Sequence, residues 1–159
     1  MPLRRIAVLA TAACTMTIAA CGSGEQPESQ PQTPSPPAAA PAVVGIRTAP
    51  TGDYLVDASG RTLYLFTKDE PGTSRCVDQC VAQWPPLTGA PQAGPGVDAA
   101  QLGTVNRPDG GQQITFAGKP LYYFAQDNAA GDIKGQDKMH VWYLVNPAGE
   151  AIKTAAPTG

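Results

Sequence analysis

The fold is decided by Gly60-Arg61-Thr62-Leu63-Tyr64-Leu65-Phe66-Thr67-Lys68-Asp69, which recurs 58 residues later as Gly118-Lys119-Pro120-Leu121-Tyr122-Tyr123-Phe124-Ala125-Gln126-Asp127. The same shift places Trp84 on Trp142. Self-similarity at a fixed spacing is typical of proteins built from repeated structural units. The sequence therefore predicts two related units, the first over about residues 50–88 and the second over about residues 102–153.

Both units have the composition of short β-strands separated by glycine turns. We predict strands over residues 54–56, 62–66, 102–105, 113–116, 120–124 and 141–145, with 151–153 pairing back on the last. Gly60 is expected to close the first hairpin with a positive φ. One short helix is predicted from Arg75 to Gln83, with Ser74 as its cap and Pro85 beyond its end. The expected fold class is mainly β, an antiparallel sheet domain with one short helix.

The recurring motif consists of a tyrosine, an aromatic residue two positions on and an aspartate three positions further: Tyr64, Phe66, Asp69, Tyr122, Phe124 and Asp127. Alternate side chains of a strand share a face, so each tyrosine should point with its aromatic partner and away from its neighbours. One interpretation makes the aromatics a core and the aspartates turn caps. The alternative makes an exposed stacking platform for a ring ligand from Tyr64, Trp84, Tyr122 and Trp142.

The N-terminus has the layout of a secretory signal. Arg4 and Arg5 precede the uncharged residues 6–20, a run too short to span a bilayer as a helix. The end of this run, Ile18-Ala19-Ala20-Cys21, resembles the bacterial lipobox. The resemblance implies a signal peptide over residues 1–20 and a lipid, such as palmitate, on Cys21, which would anchor the chain to the extracytoplasmic face of the cell membrane.

A Pro/Ala-rich segment follows the expected lipid site. Residues 21–45 contain six prolines and no aromatic residue, so they bury too little surface to offset the entropy of ordering. We predict a disordered linker over 21–45 and a folded domain over 46–156. The formal net charge of −2 and the lack of any basic run argue against nucleic acid as a partner.

Two cysteines, Cys76 and Cys80, lie four residues apart. On a short helix or turn their Cα atoms would be about 6 Å apart, within the range of a disulfide, and disulfides persist outside the cytoplasm. We predict a structural disulfide. The open alternatives are a redox-active pair in an envelope thiol-redox or electron-transfer protein, and a copper site with His140 and Met139.

No catalytic constellation is found, because every Ser-His or Cys-His pair would have to use His140. No cofactor or metal is expected. The predicted function is a non-catalytic envelope module, structural or ligand-binding, whose partner is a small ligand or another envelope protein.

Over about residues 50–150 the sequence resembles the bacterial secreted-repeat lipoproteins of unknown function. The features that carry the resemblance are the paired motif, Trp84-Pro85-Pro86-Leu87 and the two cysteines. The resemblance implies a secreted or lipid-anchored protein and no established reaction. It also implies, at the level of the family, an accessory role in the use of hydrophobic substrates such as alkanes.

Overall fold

The computed structural model describes residues 39–154. The predicted signal peptide, Cys21 and the last residues of the predicted domain lie outside this range. Within it the chain is mainly β with one short helix, as the sequence predicts. None of the helices in this range is both long and apolar enough to cross a membrane.

Between residues 39 and 154, eight strands and two short helical segments follow one another. The strands are β1 (Pro41–Ala49), β2 (Gly52–Asp57), β3 (Tyr64–Phe66), β4 (Ala90–Ala93), β5 (Leu102–Asn106), β6 (Gln112–Phe116), β7 (Lys119–Pro120) and β8 (Trp142–Leu144). The α-helix α1 is Gln79–Gln83, and Ala99–Gln101 forms a 3-10 turn. The strands form three small sheets, in the orders β2-β1-β4, β3-β8 and β5-β6-β7.

The first sheet corrects two sequence predictions. β1 begins at Pro41, so residues 41–45 belong to the sheet rather than to the linker. Val44 in this segment is fully buried and pairs with Asp57, so this part of the predicted linker is ordered by burial and strand pairing. β4 was not predicted and runs parallel to β1, an exception to the antiparallel pattern. Its residues are mostly exposed, so the sequence carries no alternation that would mark a strand.

The two units are interleaved at the centre of the domain. β3 of the first unit pairs antiparallel with β8 of the second, with Tyr64 opposite Leu144. The 58-residue shift relates this pair to Tyr122 and Pro86, which form an antiparallel bridge. The motif segment of each unit is therefore paired with the tryptophan segment of the other unit. The predicted strand over 120–124 is reduced to β7 and single bridges at Tyr122.

A reciprocal pair of backbone bonds joins the two motif strands themselves. The Tyr64 N–H donates to the Tyr122 carbonyl at 2.8 Å, and the Tyr122 N–H donates to the Tyr64 carbonyl at 2.9 Å. This is the hydrogen-bonded pairing of an antiparallel ladder. A pseudo-two-fold axis passes between the two tyrosines and relates one unit to the other.

The predicted alternation of side chains is confirmed by two separate cores. One face holds an aliphatic core whose buried residues are Val44, Leu55, Leu63, Leu65, Leu87, Ile114, Phe116, Leu121, Tyr143 and Val145. The other face holds an aromatic core whose buried residues are Tyr54, Val56, Tyr64, Cys76, Trp84, Tyr122, Phe124, Trp142 and Leu144. Consecutive motif residues thus alternate between the two cores, and both units contribute to each.

The helix is shorter than predicted. α1 begins at Gln79, and its N-cap Asp78 has a φ of 52° and no capping side-chain bond. Ser74 is buried and its hydroxyl lies 2.7 Å from the hydroxyl of Tyr122. The expected cap residue is therefore held in the aromatic core, and the chain between it and the helix is not helical.

Because of this interleaving, we expect neither unit to fold alone. Residues 39–98 and 99–154, produced as separate chains, should each lack the near-ultraviolet circular dichroism of packed aromatics, since each motif strand has lost its partner. Mixing the two fragments should restore the signal. A native-like spectrum from either fragment by itself would contradict the interleaved arrangement.

Candidate functional site

The motif residues meet across the pseudo-two-fold axis in crossed pairs. The Tyr64 hydroxyl donates to Asp127 Oδ2 at 2.7 Å, and the Tyr122 hydroxyl donates to Asp69 Oδ2 at 2.7 Å. Each tyrosine is thus bonded to the aspartate of the other unit. The predicted role of the aspartates as turn caps is only part of their role, because the motif also carries the contact between the units.

The second oxygen of each aspartate holds its own loop. Asp69 Oδ1 accepts from the Arg75 N–H at 2.7 Å, and Asp127 Oδ1 accepts from the Lys134 N–H at 3.0 Å. Burial raises the pKa of both carboxyl groups above its usual value. Burial is also the main cause that raises the pKa of Tyr64, to which the hydrogen bond from its hydroxyl to Asp127 adds.

Burial is the main cause that raises the pKa of Tyr122. The hydrogen bond to Asp69 also raises this pKa, whereas the hydrogen bond to Ser74 lowers it. A phenol whose pKa is raised stays protonated at neutral pH. The crossed pairs therefore each contain a neutral donor and a carboxyl acceptor.

Between the two tyrosines lies a stack of the two tryptophans. The ring centroids of Trp84 and Trp142 are 3.9 Å apart and their planes differ by 3°. Tyr64 meets Trp84 edge-on at 5.5 Å, and Tyr122 meets Trp142 edge-on at 5.1 Å. The two edge-on contacts are of the kind that aromatic pairs favour.

The hypothesis of an exposed platform is wrong for these four rings. Tyr64 and Tyr122 are 0% exposed, Trp142 is 1% exposed and Trp84 is 2% exposed. The loop after each motif strand folds over the tyrosine of the other unit, so that Ser74 contacts Tyr122 and the Gly135 N–H donates to the Tyr64 hydroxyl at 3.2 Å. The core interpretation of the motif fits this burial.

The predicted disulfide between Cys76 and Cys80 is confirmed, with Cα atoms 5.3 Å apart. Cys76 is fully buried beside Trp84, whereas Cys80 is half-buried. The equivalent positions of the second unit are Lys134 and Lys138. Polar contacts hold that loop instead: the Lys134 ammonium lies 2.8 Å from Asp132, and the buried Gln136 accepts from the Leu144 N–H at 2.8 Å.

A buried guanidinium, which the sequence analysis missed, supports the first loop. Arg107 is 4% exposed and donates to Ser74 Oγ at 2.9 Å, Gln113 Oε1 at 2.7 Å and the Cys76 carbonyl at 2.8 Å. It also forms an ion pair at 2.9 Å with Asp109, whose pKa this bond lowers. The turn residue Asp109 two positions away was the only signal in the sequence. Such a charge is stable in a core only when its donors are satisfied.

The copper hypothesis is wrong, because both sulfur atoms are joined to each other. His140 lies on an exposed loop, 3.1 Å from Asp137 Oδ1, and Met139 beside it is 72% exposed. Between residues 39 and 154, no three His, Cys, Asp or Glu side chains converge as they would around a metal ion.

A cleft with a volume of about 480 Å³ lies beside β3. Its walls combine apolar residues with acids and lysines: Leu65, Phe66, Thr67, Asp69, Glu70, Pro71, Lys119, Pro120, Glu150, Ala151 and Lys153. Phe66, half-buried here, stacks on Trp142 with centroids 4.3 Å apart. The cleft therefore touches both the motif aspartate of the first unit and the edge of the aromatic core.

Gly135 is required where the second loop crosses the aromatic core. A Cβ atom there would lie 2.8 Å from Tyr64 Cζ and 2.9 Å from Trp84 Cη2. We expect Gly135→Ala to lower the free energy of unfolding by about 1–3 kcal/mol, the usual cost of overpacking. Gly45→Ala is the matched control, because its Cβ meets nothing within 4 Å, and it should change stability by less than about 1 kcal/mol. Equal values from urea unfolding would contradict this packing.

Comparison with known proteins finds the same two units. A family model described as a secreted repeat of unknown function matches residues 45–88 and 103–146. The two matches are separated by the 58-residue shift that relates the motifs. No curated protein and no solved structure matches the chain. Because the two matches cover more than half of its length, the chain belongs to this family of secreted repeats of unknown function.

Proposed function

We propose that this secreted-repeat protein is a non-catalytic, ligand-binding module held on the extracytoplasmic face of the cell membrane by a lipid on Cys21. The lipobox-like Ile18-Ala19-Ala20-Cys21 supports the anchor, and the family supports export. The disulfide between Cys76 and Cys80 fits an oxidising compartment. The proline-rich composition between Cys21 and β1 suits a spacer that carries the domain away from the lipid.

One observation carries the non-catalytic part of this proposal: the motif groups satisfy one another. The phenol of each motif tyrosine is bonded to a carboxylate, and Tyr64 and Tyr122 are fully buried. A catalytic acid or base needs a substrate within hydrogen-bond reach, and a substrate cannot approach these phenols. The motif tyrosines therefore stabilise the fold, and a ligand would have to bind to residues on the surface.

The cleft beside Phe66 is the concave surface that suits a small ligand. Its volume of about 480 Å³ lies within the usual range for binding pockets. Leu65, Phe66 and Pro120 supply apolar contacts, while Glu150 and Lys153 supply charges of both signs. This combination favours a small amphipathic molecule. An accessory role in the use of hydrophobic substrates would be one physiological setting for such binding.

The thiol-redox alternative is not favoured by the surroundings of the disulfide. In thiol exchange a thiolate attacks one sulfur of the disulfide. Because Cys76 is fully buried against the tryptophan stack, only the partly exposed Cys80 could be attacked. The contacts around both cysteines suit a structural disulfide that holds this loop in place.

The anchor is tested by Cys21→Ser in the full-length chain expressed in a bacterium with a lipoprotein pathway. We expect the native protein in the membrane fraction and the variant in the soluble extracytoplasmic fraction, because the serine oxygen cannot take the place of the acylated sulfur. Cys14→Ser is the matched control and should remain in the membrane. Membrane retention of the Cys21 variant would refute the lipid anchor.

The cleft is tested by thermal unfolding with a panel of medium-chain alcohols, fatty acids and aromatic acids. A ligand that binds the folded state raises the melting temperature. We expect Ala151→Phe, which fills the cleft, to abolish any such increase, and Ala129→Phe on an exposed turn to leave it unchanged. A panel without effect on the native protein, or an effect that survives Ala151→Phe, would count against ligand binding in this cleft.

A further inference from the structure

Four of the buried aromatic residues form one continuous chain of oxidisable rings. Tyr64, Trp84, Trp142 and Tyr122 follow one another at centroid distances of 5.5, 3.9 and 5.1 Å. Tryptophan and tyrosine are the aromatic side chains that lose one electron most readily. At these separations an electron vacancy on one ring is shared with or transferred to the next by direct contact, with no intervening saturated group.

Both ends of this chain have a proton acceptor. A phenol that loses an electron becomes a strong acid, so it must release its proton to form a stable neutral radical. The Tyr64 hydroxyl lies 2.7 Å from Asp127 Oδ2, and the Tyr122 hydroxyl lies 2.7 Å from Asp69 Oδ2. These are strong charge-assisted hydrogen bonds along which a proton moves by a short shift.

We propose that these four rings and two carboxylates form a proton-coupled electron relay. A one-electron oxidant of the radical class removes an electron from the tryptophan stack and is itself reduced. The adjacent tyrosine then gives one electron to the tryptophan radical cation and its hydroxyl proton to the aspartate. The products are a neutral tyrosyl radical, a protonated aspartate and a restored tryptophan, so charge and protons balance.

The cleft gives the relay a route to the surface at the Tyr122 end. Phe66 lines the cleft and stacks on Trp142 with ring centroids 4.3 Å apart. An oxidant in the cleft would therefore be separated from Trp142 only by the ring of Phe66. Asp69 lines the same cleft, so the proton that it accepts has a path to solvent. Burial raises the pKa of Asp69, which makes its carboxylate a better proton acceptor, and the nearby positive charge of Arg107 offsets part of that rise.

This inference goes beyond the proposed binding function and does not depend on it. Lipidation of Cys21 and occupation of the cleft by a ligand are not needed for electrons to move between the buried rings. The relay would equip a secreted domain to take up oxidising equivalents without breaking its backbone.

Pulse radiolysis of the full-length protein in azide solution tests the relay. Azide radicals oxidise tryptophan, and absorption spectroscopy follows the indolyl radical and the phenoxyl radical separately. In the native protein we expect the indolyl band to decay as the phenoxyl band rises, at a rate independent of protein concentration. In heavy water the same step should be slower, because a proton moves with the electron.

The carboxylates are tested by combining Asp69→Asn with Asp127→Asn. The amide keeps an oxygen that accepts the hydrogen bond but is not a base, so transfer should be slowed about tenfold or more. Asp57→Asn is the matched control, because Asp57 accepts from the Tyr123 hydroxyl at 3.0 Å outside the tryptophan stack, and its rate should equal the native rate.

Three results would overturn the relay. They are an equal rate in the doubly substituted protein, an equal rate in heavy water, and a rate that falls equally in the Asp57 variant. If the double variant does not keep the native circular dichroism, the comparison of light and heavy water in the native protein decides alone.

Discussion

The fold depends on the pairing of Tyr64 with Tyr122 across the pseudo-two-fold axis. Two backbone bonds of 2.8 and 2.9 Å fix the register of the two strands, and this register brings each hydroxyl to the aspartate of the other unit. A hydrogen bond to a charged group contributes on the order of 1.5–3 kcal/mol when it is protected from water. A slip of one motif segment by one residue would turn its tyrosine to the opposite face and break both bonds.

The two cores follow from the same register. Because side chains alternate along each motif, the tyrosine and the aromatic residue two positions on face one core, and the residues on either side of the tyrosine face the other. The loops then complete the aromatic side in different ways. A disulfide and the buried Arg107 hold the first loop, whereas lysine, glutamine and aspartate contacts hold the second. Equivalent backbone positions are thus supported by unrelated chemistry.

The sequence predicted the features that repeat and the disulfide of the first unit, but it missed several other features that occur once. The 58-residue shift and the period-two alternation indicated the two units, the motif strands and their faces, since both signals are local. The crossing of the Tyr–Asp pairs was not predictable, because the sequence alone does not say which unit supplies the partner strand. β4 and Arg107 escaped prediction because an exposed edge strand has no hydrophobic pattern and a buried arginine looks like a surface charge. The hypothesis of an exposed aromatic platform was wrong because the sequence does not reveal which residues the loops cover.

The crossed arrangement of the units has the geometry of an isologous dimer joined into a single polypeptide. In such a dimer the same surface of each copy contacts its counterpart, as the two motif strands do at Tyr64 and Tyr122. Joining the halves makes their association independent of protein concentration, since the second half is always present. It also frees each half to diverge, so that one gained Cys76 and Cys80 while the other carries Lys134 and Lys138. A symmetric homodimer would have carried every such change twice.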